Sequence, residues 1–269
     1  FSVGHQLYDV VRGAGSENEL DSSSAAAQGA GNTDQFGYPS AFISGGFSVV
    51  AGSSGDWDYV NKSGVNYVAW NWLAGNTSGS SNSDGSITST VTASTTSGFS
   101  VGTYTGNGTD NATVGHGLGV APKIVFVKRR NTTGNWRVYS KAVDKNLFLD
   151  LTNAGASPTE IKSTSSTVFT LGSGNGFNGS GDTHVFYAFA EIEGFSKFGS
   201  YSGNGSTDGP YIHLGFKPTW VMFKRTNDVA DWMIKESSGR DPYNSLNNRI
   251  LANTSFTDDP HSTNNLIDF

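Results

Sequence analysis

No cysteine occurs anywhere in this chain. That excludes a disulfide framework and any thiolate metal site, and leaves packing, β ladders and association to hold the fold together. Charge is scarce as well: 15% of the residues are charged, against about 25% in ordinary globular proteins. Net charge is −6, and the seventeen basic residues are scattered, with Lys128-Arg129-Arg130 the one run. Nucleic acid is therefore not an expected partner. The basic run reads as a solvated strand end in preference to a small anion site. No stretch approaches the roughly 18 consecutive apolar residues that a membrane helix needs, so no membrane insertion is expected. Helical patterning is nearly absent: Ala25-Ala26-Ala27 is flanked by Ser and Gly with no apolar 3.6-residue period, and reads as loop.

What the chain does have is glycine, small polar residues and rings. Glycine reaches 35 of 269 residues and aromatics 12%. Disorder goes with few aromatics and high net charge, so this is a folded, loop-rich, β-favouring composition. Ile124-Val125-Phe126-Val127 and Trp220-Val221-Met222-Phe223 are short apolar runs with Pro before and Lys-Arg after. Runs of that length suit buried strands. Phe99-Val101-Thr103 and Val185-Tyr187-Phe189 alternate, as do Val68, Trp70 and Trp72, which a strand would project to one face.

The chain also repeats itself. Gly98-Phe99-Ser100 returns at Gly194-Phe195-Ser196, Pro122 at Pro218, Lys128-Arg129 at Lys224-Arg225 and Trp136 at Trp232, each displaced by 96 residues (218 − 122). A partial third copy lies at the front. Val68, Trp70 and Trp72 answer Val185, Tyr187 and Phe189 at an offset of 117 (185 − 68), and Leu7-Tyr8 answers Val138-Tyr139 at 131 (138 − 7). Long recurrence with little drift marks a duplicated folding unit, and about 100 residues is a common size for a β-sandwich. The expected fold is all-β: tandem antiparallel β-sandwich modules of about 96 residues, with the first and last copies incomplete. The divisions are 1–97 (an incomplete first module plus a Ser/Thr/Gly-rich connector), 98–193 (a complete module) and 194–269 (a truncated third). The chain thus reads as a fragment of a longer polypeptide.

Candidate sites are weak. Loop aromatics Trp57, Tyr59, Tyr104, Tyr201 and Tyr211 could stack on a sugar ring. Oxygen-rich loops make Asp56, Asp58, Asp110, Asp182 and Asp208 the candidates for calcium, although Asp and Asn are also default turn residues. No other cofactor is expected. Glu191 and Glu193 stand two apart on a strand, the kind of carboxylate pair a glycosidase uses, but the corresponding place in the first copy, Leu73-Ala74-Gly75, has no acid. Asp258, Asp259 and His261 form a similar, unsupported cluster. His116 and His213 occupy nearly the same place in two copies, which favours a structural hydrogen bond over catalysis. Gly115-His116-Gly117-Leu118-Gly119 lacks the helix and Lys-Ser/Thr of a phosphate loop and reads as a turn. No enzyme is expected.

Several blocks, taken together, resemble a repeated module in virion proteins of marine tailed bacteriophages. They are Gly98-Phe99-Ser100 with Thr103-Tyr104-Thr105-Gly106, Gly115 through Lys123, Val127-Lys128-Arg129, Tyr67-Val68-Ala69-Trp70-Asn71-Trp72, and Ala190 through Ser196. That resemblance implies a structural role on the virion surface, in a tail fibre or other appendage, with a contribution to host attachment and no catalytic residues. It also implies a homo-oligomer, a trimer being the expected form, with other virion proteins and host-surface glycan as further partners. The rivals are a glycan-binding module, with or without calcium; a capsid or baseplate decoration protein; and a polysaccharide-degrading enzyme.

Overall fold

The computed structural model describes residues 4–31, 34–54, 59–237, 248–255 and 259–260. It is nearly all-β, and every ladder between strands is antiparallel. The first part carries β1 (Gln6–Leu7), β2 (Leu20–Asp21), β3 (Tyr38–Ile43) and β4 (Gly46–Val50). Ten strands follow: β5 (Ser80–Asn82), β6 (Ser89–Ser94), β7 (Phe99–Thr105), β8 (Thr113–Gly115), β9 (Ile124–Arg129), β10 (Arg137–Ser140), β11 (Lys145–Phe148), β12 (Ile161–Thr164), β13 (Val168–Leu171) and β14 (Thr183–Phe189). The last part holds β15 (Trp220–Lys224), β16 (Trp232–Glu236), β17 (Asn248–Leu251) and β18 (Asp259–Pro260). A single α-helical turn, Asn175–Asn178, precedes β14.

The middle of the chain is a sandwich. A seven-stranded sheet in the order β11-β10-β9-β14-β7-β6-β5 faces a three-stranded sheet, β12-β13-β8. Between them lie Val114, Val125, Val127, Ile161, Phe169 and Phe186, all essentially buried. Strand alternation puts one set of side chains here and the other set on the opposite face. Gly102 sits in mid-strand for a steric reason. A Cβ there would lie 2.6 Å from the Phe186 ring and 2.7 Å from the Thr90 carbonyl, the close approach that an interior strand glycine signals.

The Ser/Thr/Gly-rich stretch, expected as a connector with room for an edge strand over Ile87, Thr88, Thr90 and Val91, contributes β5 and β6 to the seven-stranded sheet, so that sheet begins at Ser80. Conversely, Val68, Trp70 and Trp72 lie outside any strand, with Val68 and Trp72 exposed. The alternating pattern is there, but among the described residues the segment makes no ladder, and alternation without a partner strand does not hold backbone in a sheet.

The repeat is visible as recurring bonds. The β9–β10 ladder pairs Phe126 with Val138, and the β15–β16 ladder pairs Met222 with Ile234, each residue displaced by 96 (222 − 126; 234 − 138). Lys128 Nζ donates to the Gly134 carbonyl and Lys224 Nζ to that of Ala230. The Trp136 amide donates to Asp150 Oδ1 at 3.1 Å, and the Trp232 amide to Asn253 Oδ1 at 2.8 Å. Pro122 is buried and Pro218 half-buried, so the match loosens in the loop before β15.

The segments do not stand apart as beads. Leu7 opposite Leu20 (β1–β2), Val138 opposite Leu147 (β10–β11) and Ile234 opposite Ile250 (β16–β17) are equivalent ladder positions. All six pack in one core with Trp136 and Trp232. Two residues before each hairpin's inner pair stands a ring: His5, Trp136 and Trp232. The Trp136 indole donates to the Asp21 carbonyl at 2.8 Å and the Trp232 indole to that of Phe148 at 2.7 Å. His5 Nε2 lies 3.1 Å from the Leu251 carbonyl. Asp21, Phe148 and Leu251 each follow the paired residue by one, so three equivalent bonds run from each hairpin to another and close a ring. Backbone bonds repeat along two sides of it. Gln28 and Gly155 amides donate to Arg130 and Thr226 carbonyls, and Gly134 and Ala230 amides to Ala25 and Thr152 carbonyls, all at 2.9 Å.

Candidate functional site: an exposed aromatic cluster

Of the five aromatic candidates, Tyr104 is corrected outright. It lies in β7 with its ring in the sandwich core, 4% exposed, and its hydroxyl donates to the Phe177 carbonyl at 2.5 Å. Burial raises its pKa well above the ordinary phenol value. The position after Thr103 falls on the inward side of the strand, and the sequence does not show which side that is. Tyr59 is half-buried with its ring 4.9 Å from Phe36. Tyr201 and Tyr211 are 55% and 87% exposed. Tyr201 meets Phe223 edge-on at 6.4 Å and Tyr211 lies 6.3 Å from His213. Trp57 lies outside the described residues, as do Asp56 and Asp58.

The remaining calcium candidates are engaged singly. Asp110 accepts from Lys162 Nζ at 2.6 Å, and that hydrogen bond lowers its pKa. Asp182 accepts from Arg129 at 3.2 Å and Asn131 at 3.1 Å. Its partial burial, which would raise the pKa, is outweighed by these donors, and the net shift is downward. Asp208 is exposed, at the end of a turn tied by Asn204 and Ser206. Among the described residues no group of three or more His, Asp or Glu gathers as a metal would need.

The glycosidase pair separates into two unlike residues. Glu191 lies 3.6 Å from Lys197 Nζ and 3.9 Å from Lys123 Nζ, and accepts the Phe198 amide at 3.0 Å, whereas Glu193 is exposed. Glu191 ties the chain after β14 back onto the fold. Asp258 and His261 lie outside the described residues, as does the side chain of Asp259. His116 is buried, donates through Nε2 to the Ser165 carbonyl (3.1 Å) and receives the Leu118 amide on Nδ1 (3.2 Å). That is the structural hydrogen bond expected of it; His213, by contrast, is exposed. The basic run is not a solvated strand end. Lys128 is fully buried, and burial pushes its ammonium down to about 8, while Arg130 Nε bonds Gln28 Oε1 at 2.6 Å.

Two features had no sequence signal strong enough to single out. One is a buried ion pair between Asp9 Oδ2 and Arg12 Nε at 2.5 Å. Tyr187 donates to the same Asp9 oxygen at 2.8 Å and accepts from Arg12 Nη2 at 3.1 Å. This bolts the first hairpin to β14. Burial would lower the Arg12 pKa, but Tyr187 and Asp9 outweigh it and the net shift is upward. The i, i+3 spacing before Gly13 was its only trace. The other is a hollow of about 170 Å³ on the seven-stranded sheet, lined by Thr88, Thr90, Thr103, Thr105, Thr183 and Arg130. It is smaller than the roughly 300–1,000 Å³ of ordinary ligand pockets.

The largest grouping of rings lies where the first and last parts of the chain meet. Trp72 touches Phe99 (6.5 Å), Phe189 (6.0 Å) and Trp220 (5.8 Å), and Trp70 meets Trp220 at 6.5 Å. Val65, Tyr67, Val68, Trp72 and Leu73 are each more than 40% exposed. Among the described residues β15 pairs on one side, with β16, whereas its counterpart β9 is paired on both sides. Contiguous exposed apolar residues of this kind mark surfaces that bind protein. No curated protein and no solved structure matches this chain. A family model does match, over residues 2–269, and the chain accordingly belongs to the family described as domain of unknown function DUF7483.

Proposed function

We propose that the chain is a structural segment of a bacteriophage tail fibre or other virion surface appendage, and that it contributes to host-surface attachment as a homo-oligomer. The observation that carries this reading is the ring of three equivalent bonds, His5 to Leu251, Trp136 to Asp21 and Trp232 to Phe148. The duplication is spent on cohesion: each copy supplies a hairpin too short to stand alone, and the shared core makes the three one body. Weak contacts repeated over several copies then sum through effective concentration, raising avidity by ~10²–10⁴ with no single tight site.

The test is particle location. Virions purified from the host that encodes the chain should contain its peptides by mass spectrometry, with immunogold label on a tail or surface appendage. Recovery only in the soluble cell fraction would overturn the reading. Label on the capsid or baseplate would replace the appendage with decoration.

A glycan-binding role is the second reading, and the exposure of Tyr201 and Tyr211 within the strandless stretch 194–219 favours it. A glycan array on the purified chain checks it, with Tyr201→Ala and Tyr211→Ala expected to remove any signal.

A further inference from the structure

We propose that the threonine-lined hollow on the seven-stranded sheet binds one acidic sugar unit, with Arg130 taking the carboxylate and the threonine hydroxyls taking the ring hydroxyls. The inference goes beyond the readings above: it does not depend on where in a particle the chain resides, and it uses neither Tyr201 nor Tyr211.

The site follows from strand register. Thr103 stands opposite Thr90 across β7 and β6, and Thr105 opposite Thr183 across β7 and β14. One step beyond the Ser89–Tyr104 pair, Thr88 comes opposite Thr105. One step beyond the Arg129–His184 pair, the Arg130 amide donates to the Thr183 carbonyl at 2.8 Å. Thr88, Thr105, Thr183 and Arg130 therefore make one row across the sheet, neighbours about 4.8 Å apart. Thr90 and Thr103 stand in the row behind. All six line the hollow, on the face away from the core that holds the Tyr104 ring. The strands that carry or lead into them, β6, β7, β14 and β9, are each paired on both sides. The hollow thus lies in finished sheet and not at an edge.

Three observations show polar capacity that the fold leaves unused. Among the described residues no hydrogen bond engages any of the five threonine hydroxyls. By contrast Ser89, on the other face of β6, donates to the Gly115 carbonyl at 2.8 Å. Arg130 spends Nε on Gln28 Oε1 at 2.6 Å, while Asp9, whose charge it feels, is already bound to Arg12 at 2.5 Å. Burial lowers the Arg130 pKa and Arg12 lowers it further, against the smaller pull of Asp9 and Tyr187. The half-buried cation is thus short of counter-charge. Nor does the backbone demand an arginine. The equivalent position, 96 residues on (226 − 130), is Thr226, whose carbonyl accepts the Gly155 amide as that of Arg130 accepts the Gln28 amide.

The ligand class follows from these groups. A carboxylate answers a guanidinium with two parallel bonds. A hydroxyl both donates and accepts, so five of them suit a polyol, whereas a bare oxyanion can only accept. A hollow of about 170 Å³ admits a small group, such as a single ring at the end of a glycan. No aromatic side chain faces it, since the Tyr104 ring is in the core. Recognition there rests on charge and hydrogen bonds and not on stacking.

The test titrates the full chain, isotopically labelled at threonine methyls, with glucuronate, glucose and inorganic phosphate in separate NMR experiments. Glucuronate should move the methyl signals of Thr88, Thr90, Thr103, Thr105 and Thr183, and bind about 10- to 100-fold more tightly than glucose. That margin should vanish in Arg130→Thr, a change to the side chain that the third copy carries there. Thr90→Val and Thr105→Val, both at exposed positions, should each weaken glucuronate about 2- to 10-fold with Arg130 intact. They carry the test if Arg130→Thr does not fold. Phosphate binding as tightly as glucuronate, with no effect of the valine variants, would overturn the sugar in favour of a plain oxyanion site. Threonine methyls unmoved by all three ligands would overturn the site itself. Neither failure touches the particle-location result.

Discussion

His5 Nε2 sits 3.1 Å from the carbonyl oxygen of Leu251, 246 residues away in sequence. A carbonyl can only accept, so the imidazole carries its proton on Nε2. His5 thereby does for the first hairpin what the indoles of Trp136 and Trp232 do for the other two. The equivalence extends to the backbone: Ser22, Leu149 and Ala252 amides donate to the carbonyls of His5, Trp136 and Trp232 at 3.1, 3.3 and 3.0 Å. All three amides belong to buried residues.

Truncation of the ring residues should therefore destabilise the whole chain and not one segment. Trp136 is fully buried, and Trp136→Ala is expected to cost about 3–5 kcal/mol. His5→Ala, which removes the imidazole donor to the Leu251 carbonyl, should cost about 1 kcal/mol. Chemical denaturation checks both. A transition that splits in two for Trp136→Ala would show that the segments fold independently.

The Asp9–Arg12–Tyr187 knot should respond asymmetrically to substitution. Asp9→Ala leaves the buried Arg12 guanidinium without its counter-charge, and removing one partner of such a pair costs about 3–5 kcal/mol. Tyr187→Phe keeps the ring and the ion pair and should cost about 1–2 kcal/mol. The double variant Asp9→Leu/Arg12→Met should recover much of the Asp9→Ala loss, because no charge is then stranded. Denaturant midpoints of the four proteins give the comparison.

Acid should weaken the fold through His184. Its ring is fully buried and stacks on Tyr104 at 4.9 Å with an interplanar angle of 13°. Burial lowers its pKa from 6.5 to about 4. Below pH 6.5 the unfolded chain takes up a proton that the folded chain refuses, so stability falls as pH drops from 6.5 to about 4. The loss is at most about 3 kcal/mol. His184→Phe preserves the stack and removes both unpartnered ring nitrogens. It should flatten the slope of stability against pH in that window without loss at pH 7. An unchanged slope would assign the effect to other groups, His116 first, whose pKa burial also lowers.

Tyr104 and Tyr211 should separate stability from surface recognition. Tyr104→Phe deletes a buried hydroxyl bonded to the Phe177 carbonyl and should cost about 1 kcal/mol, with no change in any glycan signal. Tyr211→Ala removes a ring that is 87% exposed. It should leave the melting temperature within about 2 °C and is the informative variant on a glycan array.

Much of this architecture was legible in the residues because it is local. Period-two alternation, short apolar runs between Pro and Lys-Arg, and scarce helix formers named the strands at Phe99, Ile124, Val138, Val185 and Trp220 as such. The 96-residue displacement named equivalent residues whose bonds do recur. What failed depends on a neighbour. The sequence does not show that Tyr104 points inward, because its side of β7 is set by the sheet packed above it. Lys128 looked solvated because a charged residue at a strand end is ordinarily exposed, yet here the Gly134 carbonyl receives its ammonium. Val68–Trp72 has strand pattern without strand structure because alternation creates a face and not the partner strand that completes it.

By itself, then, the sequence determined an all-β chain with three related stretches, no disulfide and few charges, since composition and period act within a few residues. The tertiary structure decided that the three stretches share one core and that a histidine closes the ring begun by two tryptophans. Each of these depends on atoms brought together from positions tens to hundreds of residues apart, and no local pattern encodes such a distance.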